Sequence, residues 1–183
     1  MPKRFKVYLV GGMEKDVNLG ADWRDRVTPE FVKRGYDVLN PIEFEPEQLK
    51  GLQPRRLPES FEAFDGSIVK PTHWHQFKLG KRGSKILRRF KQYMRRIRNY
   101  DIDKIVIQDA DIIVCHWTVG TGNGAGSHIE CDAAFTHNKQ VYMVRAKDAA
   151  NAWVDIPAWI VGNSSEIFES FEQLFKYLDD DED

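Results

Sequence analysis

Short apolar runs alternate with longer segments of helical periodicity along most of the chain. The run 6–10 combines β-branched and aromatic residues and is followed by two glycines, which predicts a buried first strand and a tight turn. Between 19 and 34 apolar residues recur at helical spacing, and Gly35 provides a C-cap. Residues 36–41 then predict a second strand that a proline ends. Strand, helix and strand in this order predict a parallel βαβ unit.

The second half of the chain repeats this alternation. In order, we predict strands at 111–117 and 140–144, a weaker strand at 158–161, helices at 127–137 and 166–178, and a glycine-rich loop at 120–126. Strands that alternate with helices favour a doubly wound sheet. We therefore expect an α/β fold: a flavodoxin-like or Rossmann-like open sheet of about five parallel strands, with helices on both faces.

Three segments depart from the alternation. Residues 42–80 carry scattered prolines and aromatics, which predicts an inserted, irregular excursion with one or two short helices. Residues 84–105 predict a helix with one apolar side and one basic side. Residues 179–183 are all acidic and predict a solvated tail. We expect residues 1–178 to form a single α/β domain.

The overall composition narrows the class of protein. Lys plus Arg (27) nearly equals Asp plus Glu (28) in 183 residues, so the whole chain has no strong preference for nucleic acid or membrane. Cys115 and Cys131 fall in apolar segments and form no metal or disulfide pattern. His73 and His75 have no acidic or cysteine partners nearby, which favours packing over metal binding. We predict a cytoplasmic protein without cofactor, metal or membrane span.

Ligands of doubly wound sheets bind beyond the carboxyl ends of the strands. This rule indicates the turn at Gly11 and Gly12 and the glycine-rich loop 120–126, where backbone groups can approach a ligand closely. Glu130 lies in the first turn of the helix that we predict after this loop, where the helix dipole favours an ionised carboxylate. The alternative is structural, because Ser127 and Glu130 also have the spacing of a capping box.

Several short motifs add a resemblance to these patterns. In chain order they are Lys6–Met13, Trp23-Arg24, Gly35–Pro41, Asp103–Asp111, the G(S/T)xxE-like Gly126–Glu130, Ala133-Ala134 and Asn138–Val141. In order and spacing they resemble the nucleoside 2-deoxyribosyltransferase family, which includes 2'-deoxynucleoside 5'-monophosphate N-hydrolases. The resemblance covers about 6–41 and 99–145 of the chain. It implies an enzyme that cleaves the N-glycosidic bond of a deoxynucleoside or its 5'-monophosphate.

The resemblance also implies roles for individual residues. Glu130 would attack C1' and form a covalent deoxyribosyl ester, Tyr8 would orient Glu130, and Asp103 would contact and protonate the base. From the residues alone, Tyr8 could be a core residue of the first strand, and Asp103 could be a surface charge at the end of a helix. The further candidates for substrate binding are Gly11, Gly12, Asn123, Gly124, Gly126, Ser127 and His116. Family members assemble their sites across subunits, so we expect a homo-oligomer.

One position leaves the reaction open. Transferases of the family carry an aspartate about six residues before the nucleophile, and the monophosphate hydrolases often carry a serine there; this chain has Gly124. Transfer to a second nucleobase is our first hypothesis, and hydrolysis to free base and sugar phosphate is the alternative. A non-catalytic nucleotide-binding module is a further alternative. The basic helix raises a nucleic-acid hypothesis, which the near-zero net charge disfavours.

Overall fold

The computed structural model describes residues 4–13, 20–44, 60–70, 76, 81–107 and 110–180. The chain divides into a larger unit, formed by Met1–Phe44 and Asp101–Asp183, and a smaller unit, Glu45–Tyr100. The strands are β1 Lys6–Gly11, β2 Asp37–Leu39, β3 Phe61–Glu62, β4 Ile68–Val69, β5 Ile112–Trp117, β6 Gln140–Arg145 and β7 Glu166–Phe168. The helices are α1 Ala21–Lys33, α2 Pro41–Phe44, α3 Lys81–Val106, α4 Val119–Gly122, α5 Ala125–Thr136, α6 Ala158–Asn163 and α7 Phe171–Asp180.

A five-stranded parallel sheet with the order β2-β1-β5-β6-β7 forms the centre of the larger unit. The strand order reverses between β1 and β5, where Tyr8 lies opposite Ile113 and Gly11 opposite His116. With helices on both faces of the sheet, the predicted fold class is confirmed. In sheets of this kind the reversal opens a crevice at the carboxyl ends of the strands, and ligands bind there.

Two apolar cores lie on the two faces of this sheet. On one face Val7 and Leu9 of β1 pack with residues of α1 and α7. On the other face Tyr8 and Val10 pack with Cys131 of α5 and with residues of α3 and α6. Successive side chains of a strand point to opposite faces, so one short strand contributes to both cores. Tyr8 therefore faces α5.

The end of the chain differs from our prediction. Residues 158–161, which we predicted as the fifth strand, lie in helix α6, and the fifth strand is β7. Pro157 precedes α6 with φ −56°, and the buried residues Ile160 and Asn163 follow helical spacing. The predicted helix 166–178 is accordingly shorter at its start and begins at Phe171. It extends into the predicted tail to Asp180.

The smaller unit contains an antiparallel hairpin of β3 and β4, with Phe61 opposite Val69. We predicted an irregular excursion with one or two short helices here and missed the turn signal of Asp65 and Gly66, where Gly66 has φ +82°. Helix α3 contains the predicted basic helix 84–105. Among the side chains of α3 that the structure describes, the exposed basic ones are Lys85, Arg88, Lys91, Arg95, Arg96 and Arg98. Within the described part of the chain, no helix combines the length and apolar character needed to cross a membrane.

Candidate active site

Tyr8 and Glu130 meet at the reversal of the strand order. The Tyr8 hydroxyl donates a hydrogen bond to Oε1 of Glu130 at 3.3 Å. Tyr8 is fully buried in β1, and Glu130 is partly buried in α5. The strand fixes the tyrosine ring in the core, so its hydroxyl can restrict the orientation of the carboxylate.

The protonation state of Tyr8 suits this role. Burial raises the pKa of the Tyr8 phenol well above its ordinary value of 10, and the negative charges of Glu130 and Asp101 raise the pKa further. The charge of Arg24 lowers the pKa and offsets part of this effect. The phenol is therefore neutral at physiological pH and remains a hydrogen-bond donor. A neutral donor holds the carboxylate without neutralising its charge.

The capping-box alternative for Glu130 is wrong. Helix α5 begins at Ala125, its N-cap is Gly124, and no side chain caps it. Ser127 is the third residue of the helix and is buried, while Glu130 is the sixth residue. Our placement of Glu130 in the first turn was also wrong, because the helix begins two residues earlier than predicted. A residue in the second turn cannot cap the first N–H groups.

The glycine-rich segment is helical at its start. The Thr118 side chain accepts a hydrogen bond from the backbone of Thr121 at 3.0 Å and begins the short helix α4. Gly124 joins α4 to α5; a Cβ at this position would lie 3.3 Å from the carbonyl oxygen of Gly120. Asn123 and Gly126 are exposed, and nothing lies within 4 Å of a Cβ at Gly126. The exposed backbone around α5's start is thus open to a ligand.

A threonine absent from the sequence prediction connects the two turns that we predicted to bind a ligand. Thr121 Oγ1 accepts a hydrogen bond from the backbone N–H of Gly12 at 2.9 Å and donates one to the carbonyl oxygen of His116 at 2.8 Å. Since its single proton is used there, the hydroxyl of Thr118, 3.0 Å away, donates to Thr121. Thr121 is fully buried. The network fixes the turn after β1 against β5. No local sequence pattern marked either threonine.

A buried arginine supports the same turn. Arg24 donates hydrogen bonds to the carbonyl oxygens of Gly20, at 3.0 Å, and Gly11, at 3.3 Å. Its guanidinium lies 4.6 Å from the ring centroid of Trp23. A Cβ on Gly11 would lie 2.8 Å from the same indole ring, so only glycine fits there. The Trp23-Arg24 pair contributed to the family resemblance, but we predicted no role for Arg24.

The two candidate acids of α3 differ in position. Asp103 is exposed. Asp101 is partly buried, and its charge raises the pKa of Tyr8. Residues two apart in an α-helix point in nearly opposite directions, so only one of the two carboxylates can face the Tyr8 hydroxyl. Of the two, Asp101 is the one whose charge raises the pKa of Tyr8.

His116 lies on the other face of the sheet. Its ring is 5.1 Å from Trp23 and 5.3 Å from Phe171, measured between centroids. Burial lowers the pKa of the imidazole to about 4, and the charges of Arg26 and Arg24 lower it as well. The ring is therefore neutral at physiological pH. His116 and Glu130 thus border the reversal of the strand order from opposite faces.

The cysteines and the remaining histidines form no metal centre in the part of the chain that the structure describes. Cys115 and Cys131 are buried free thiols on the Glu130 face of the sheet. Burial raises the pKa of the Cys115 thiol well above its ordinary value, and the hydrogen bond that this thiol donates to Cys131 raises it further. Neutral buried thiols are poor nucleophiles and poor metal ligands. His73 and His75 lie outside the described residues.

The similarity to known proteins is one of fold. No family model and no curated protein matches the sequence. A conserved protein from Enterococcus faecalis V583 is similar in structure, with a TM-score of 0.57 and 12% identity, over 95% of this chain and 96% of that one. The CMP N-glycosidase BcmB of Clostridium botulinum aligns with a TM-score of 0.43 and 15% identity, over 95% and 98% of the two chains. At these identities the first structure supports the fold assignment alone.

Proposed function

We propose that this protein is an enzyme that cleaves the N-glycosidic bond of a 2'-deoxynucleoside or its 5'-monophosphate, with Glu130 as the nucleophile. The observation that carries the proposal is the hydrogen bond from Tyr8 to Glu130 at the strand reversal. The resemblance of the sequence to nucleoside 2-deoxyribosyltransferases implies this same pair. A partly buried carboxylate beside a neutral, fixed donor is suited to stabilise and then capture positive charge on a sugar.

The proposed first step forms an ester. Tyr8 holds Oε1 of Glu130, and Oε2 bonds to C1' of the sugar while the C1'–N bond breaks. The electron pair of that bond leaves with the base, which takes a proton from a neighbouring acid. The developing oxocarbenium-like charge lies next to the carboxylate, where electrostatic stabilisation is strongest. The missing 2'-hydroxyl of a deoxynucleoside makes this ionisation easier.

The proposed second step releases the sugar. A nitrogen of a second nucleobase, or the oxygen of water, bonds to C1' while the ester C–O bond breaks. The electron pair returns to Glu130, and the proton of the attacking group returns to the acid. A nucleobase acceptor gives transfer, our first hypothesis, and water gives hydrolysis. The transferases and the hydrolases of the family differ at the position of Gly124. A glycine there favours neither transfer nor hydrolysis.

We propose Asp101 as the acid in place of Asp103, which the resemblance implied. Asp101 is partly buried and its charge raises the pKa of Tyr8, which supports a position near the Tyr8–Glu130 pair. Asp103 is exposed. An acid must reach the base while Glu130 reaches C1', which requires that both carboxyl groups border one crevice. Asp101 meets this requirement better.

The homo-oligomer also stays a proposal. Helices α5 and α6 carry exposed large apolar side chains, among them Trp159 with 77% of its surface exposed and Phe135 with 51%. Clustered exposed apolar side chains often mark association surfaces. Trp159→Asp should shift the sedimentation of the protein toward the monomer, while Val32→Asp, at an exposed position of α1, should leave it unchanged. A fully active wild-type monomer would contradict the proposal.

Product analysis tests the proposed function. The protein is incubated with deoxynucleosides and their 5'-monophosphates, with and without a second free base, beside Glu130→Ala as the control. A new deoxynucleoside that forms only with the acceptor establishes transfer, and free base that forms without an acceptor establishes hydrolysis. Turnover that persists in Glu130→Ala, or no turnover by the wild type, would contradict the proposal and favour a nucleotide-binding module.

A further inference from the structure

One side of α3 is exposed and carries no acidic residue over about four turns of helix. Between residues 85 and 99 the structure describes eight exposed side chains, of which six are basic and two are amides. They are Lys85, Arg88, Lys91, Gln92, Arg95, Arg96, Arg98 and Asn99. None of the six basic side chains forms an ion pair with a residue that the structure describes. We call these eight side chains the basic face of α3.

The net charge of the whole chain conceals this segregation of charge. Residues 66–100 contain eleven of the 27 basic residues and no acidic residue. The rest of the chain therefore carries 16 basic residues against all 28 acidic ones. At physiological salt the field of an exposed charge is screened over about 8 Å, so a partner of the basic face meets the local charge. The near-zero net charge thus does not exclude a polyanionic partner.

The margins of the basic face are cationic. Successive residues of an α-helix are about 100° apart around its axis, so the basic face spans about 160° of the circumference and is about 20 Å long. Lys91 and Arg98 lie along one margin. Lys85 and Arg96 lie along the other margin. Ile97, which is buried, lies opposite the middle of the face, as expected for an amphipathic helix.

The middle of the basic face has a second kind of chemistry. Arg88 and Arg95 lie there, seven residues apart, and Gln92 and Asn99 lie beside them with the same spacing. Arginine forms paired hydrogen bonds with the edge of guanine, and the amides of asparagine and glutamine do so with adenine. Lysine and arginine at the margins are suited to phosphate oxygens. Groups that bind phosphate therefore flank groups that can bind base edges.

We propose that the basic face of α3 binds double-stranded DNA in the major groove. The major groove of B-DNA is about 12 Å wide and accommodates an α-helix, whose diameter with side chains is about 10–12 Å. A helix in this groove lies between two phosphate backbones, so each cationic margin faces one of them. Neutralised phosphates release counterions, which supplies most of the affinity. The inference rests on α3 alone and is independent of the proposed enzymatic function.

Other polyanions match the basic face less well. Proteins that bind single strands stack the bases on aromatic side chains, and none of the eight side chains is aromatic. Helices that bind membranes insert large apolar side chains, and none of the eight is apolar. The major groove of an RNA duplex is too deep and narrow for side chains to read. Double-stranded DNA is therefore the partner that the face fits best.

Fluorescence anisotropy of a labelled DNA duplex of about two helical turns tests the proposal with the full-length protein. We expect the affinity to fall at least about 100-fold between 50 and 200 mM salt, which corresponds to about four phosphate contacts. Lys91→Gln and Arg98→Gln, combined in one protein, should lower the slope of log affinity against log salt by about two. Gln92→Ala with Asn99→Ala should weaken binding at unchanged slope, because amides release no counterions.

The matched control lies on another helix. Arg26 and Lys33 of α1 are also exposed and seven residues apart, so Arg26→Gln with Lys33→Gln removes the same charges from a different surface. This control should keep the wild-type affinity and slope. Thermal unfolding of each variant verifies that it is folded.

Four results would overturn the proposal. They are failure of the wild type to bind the duplex at 50 mM salt, equal slopes for the wild type and the α3 variant, an equal loss of slope in the α1 control, and equal or higher affinity for duplex RNA or a single strand. Binding to vesicles of phosphatidylcholine and phosphatidylserine in place of DNA would identify a membrane-binding face and would also contradict it. A loss of slope confined to the α3 variant, with preference for duplex DNA, would support it.

Discussion

The Tyr8 hydroxyl donates a hydrogen bond to Glu130 across 122 residues of sequence. The contact exists because β1 and α5 meet at the strand reversal, where β1 adjoins β5 and α5 follows β5 in the chain. At 3.3 Å the bond is longer than the usual 2.7–2.8 Å of such bonds. Catalytic hydrogen bonds often tighten when substrate binds. The pair thus resembles a site before substrate enters.

Tyr8→Phe should slow the reaction and leave the fold intact. The ring that fills the core remains, and only the donor to Glu130 is lost. A hydrogen bond to a charged group contributes about 1.5–3 kcal/mol, so we expect kcat/KM to fall about 10- to 100-fold. Steady-state kinetics measure this effect. Tyr177→Phe, a partly exposed tyrosine on α7, is the matched control, and an equal loss in both variants would contradict the role of Tyr8.

The identity of the acid follows from a comparison of two substitutions in α3. Asp101→Asn should lower kcat about 100-fold or more, as expected when a general acid is removed, whereas Asp103→Asn should have little effect. The substitutions are isosteric and lie two residues apart in one helix. A large loss with Asp103→Asn and none with Asp101→Asn would restore the assignment that the resemblance implied. The variant that lacks the acid should lose less activity toward substrates whose bases are better leaving groups.

Gly126→Ala should separate stability from substrate binding. Nothing lies within 4 Å of a Cβ at this exposed helical position, so alanine should stabilise the protein by about 0.5–1 kcal/mol. If the backbone at Gly126 touches the ligand, KM rises in this more stable variant. Thermal unfolding and kinetics measure the two effects. An unchanged KM would remove Gly126 from the candidate substrate-binding residues.

Gly11→Ala is the contrasting substitution. Its Cβ would lie 2.8 Å from the indole of Trp23, which is buried and held by Phe171. Overpacking of this kind destabilises proteins by about 1–3 kcal/mol. We therefore expect a lower melting temperature for Gly11→Ala and an equal or higher one for Gly126→Ala. The opposite order would contradict the packing described for the turn after β1.

His116 should make the protein less stable in weak acid. Its pKa is about 4 in the folded protein and about 6.5 in the unfolded chain. Between these values the unfolded chain binds the proton and the folded protein does not, so stability is complete above pH 6.5 and is lost as the pH falls toward 4. From pH 7 to 5 the loss is about 2 kcal/mol. Denaturant unfolding should show this loss in the wild type and in His137→Gln, but not in His116→Phe.

The sequence predicted most of the fold because its strongest signals are local. Strands β1 and β5 are buried on both faces and are therefore continuous apolar runs, which composition identifies directly. The region 158–168 was misassigned because α6 and β7 are short and each carries few buried residues. Pro157 favours the start of α6, and the pairing of β7 with β6 stabilises β7 as a strand. Strand pairing is a tertiary interaction, so the local sequence does not reveal it.

The candidate site was less accessible to sequence reasoning. Periodicity placed Tyr8 and Glu130 on a strand and a helix, but only the resemblance linked them. The choice between Asp101 and Asp103 depends on which side of α3 faces the sheet. The sequence around these two residues does not determine that orientation. The hydrogen bonds of Thr121 and the burial of Arg24 arise from long-range packing, so no local pattern marks them.

Mass spectrometry of the quenched reaction tests the central proposal most directly. Wild-type protein is mixed with a deoxynucleoside in the absence of an acceptor base, denatured in acid and digested. We predict that the peptide containing Glu130 gains one deoxyribosyl unit, that Tyr8→Phe accumulates it more slowly, and that Glu130→Gln never gains it. Release of free base from the wild type with no adduct on any peptide, or an adduct on another residue, would contradict Glu130 as the nucleophile.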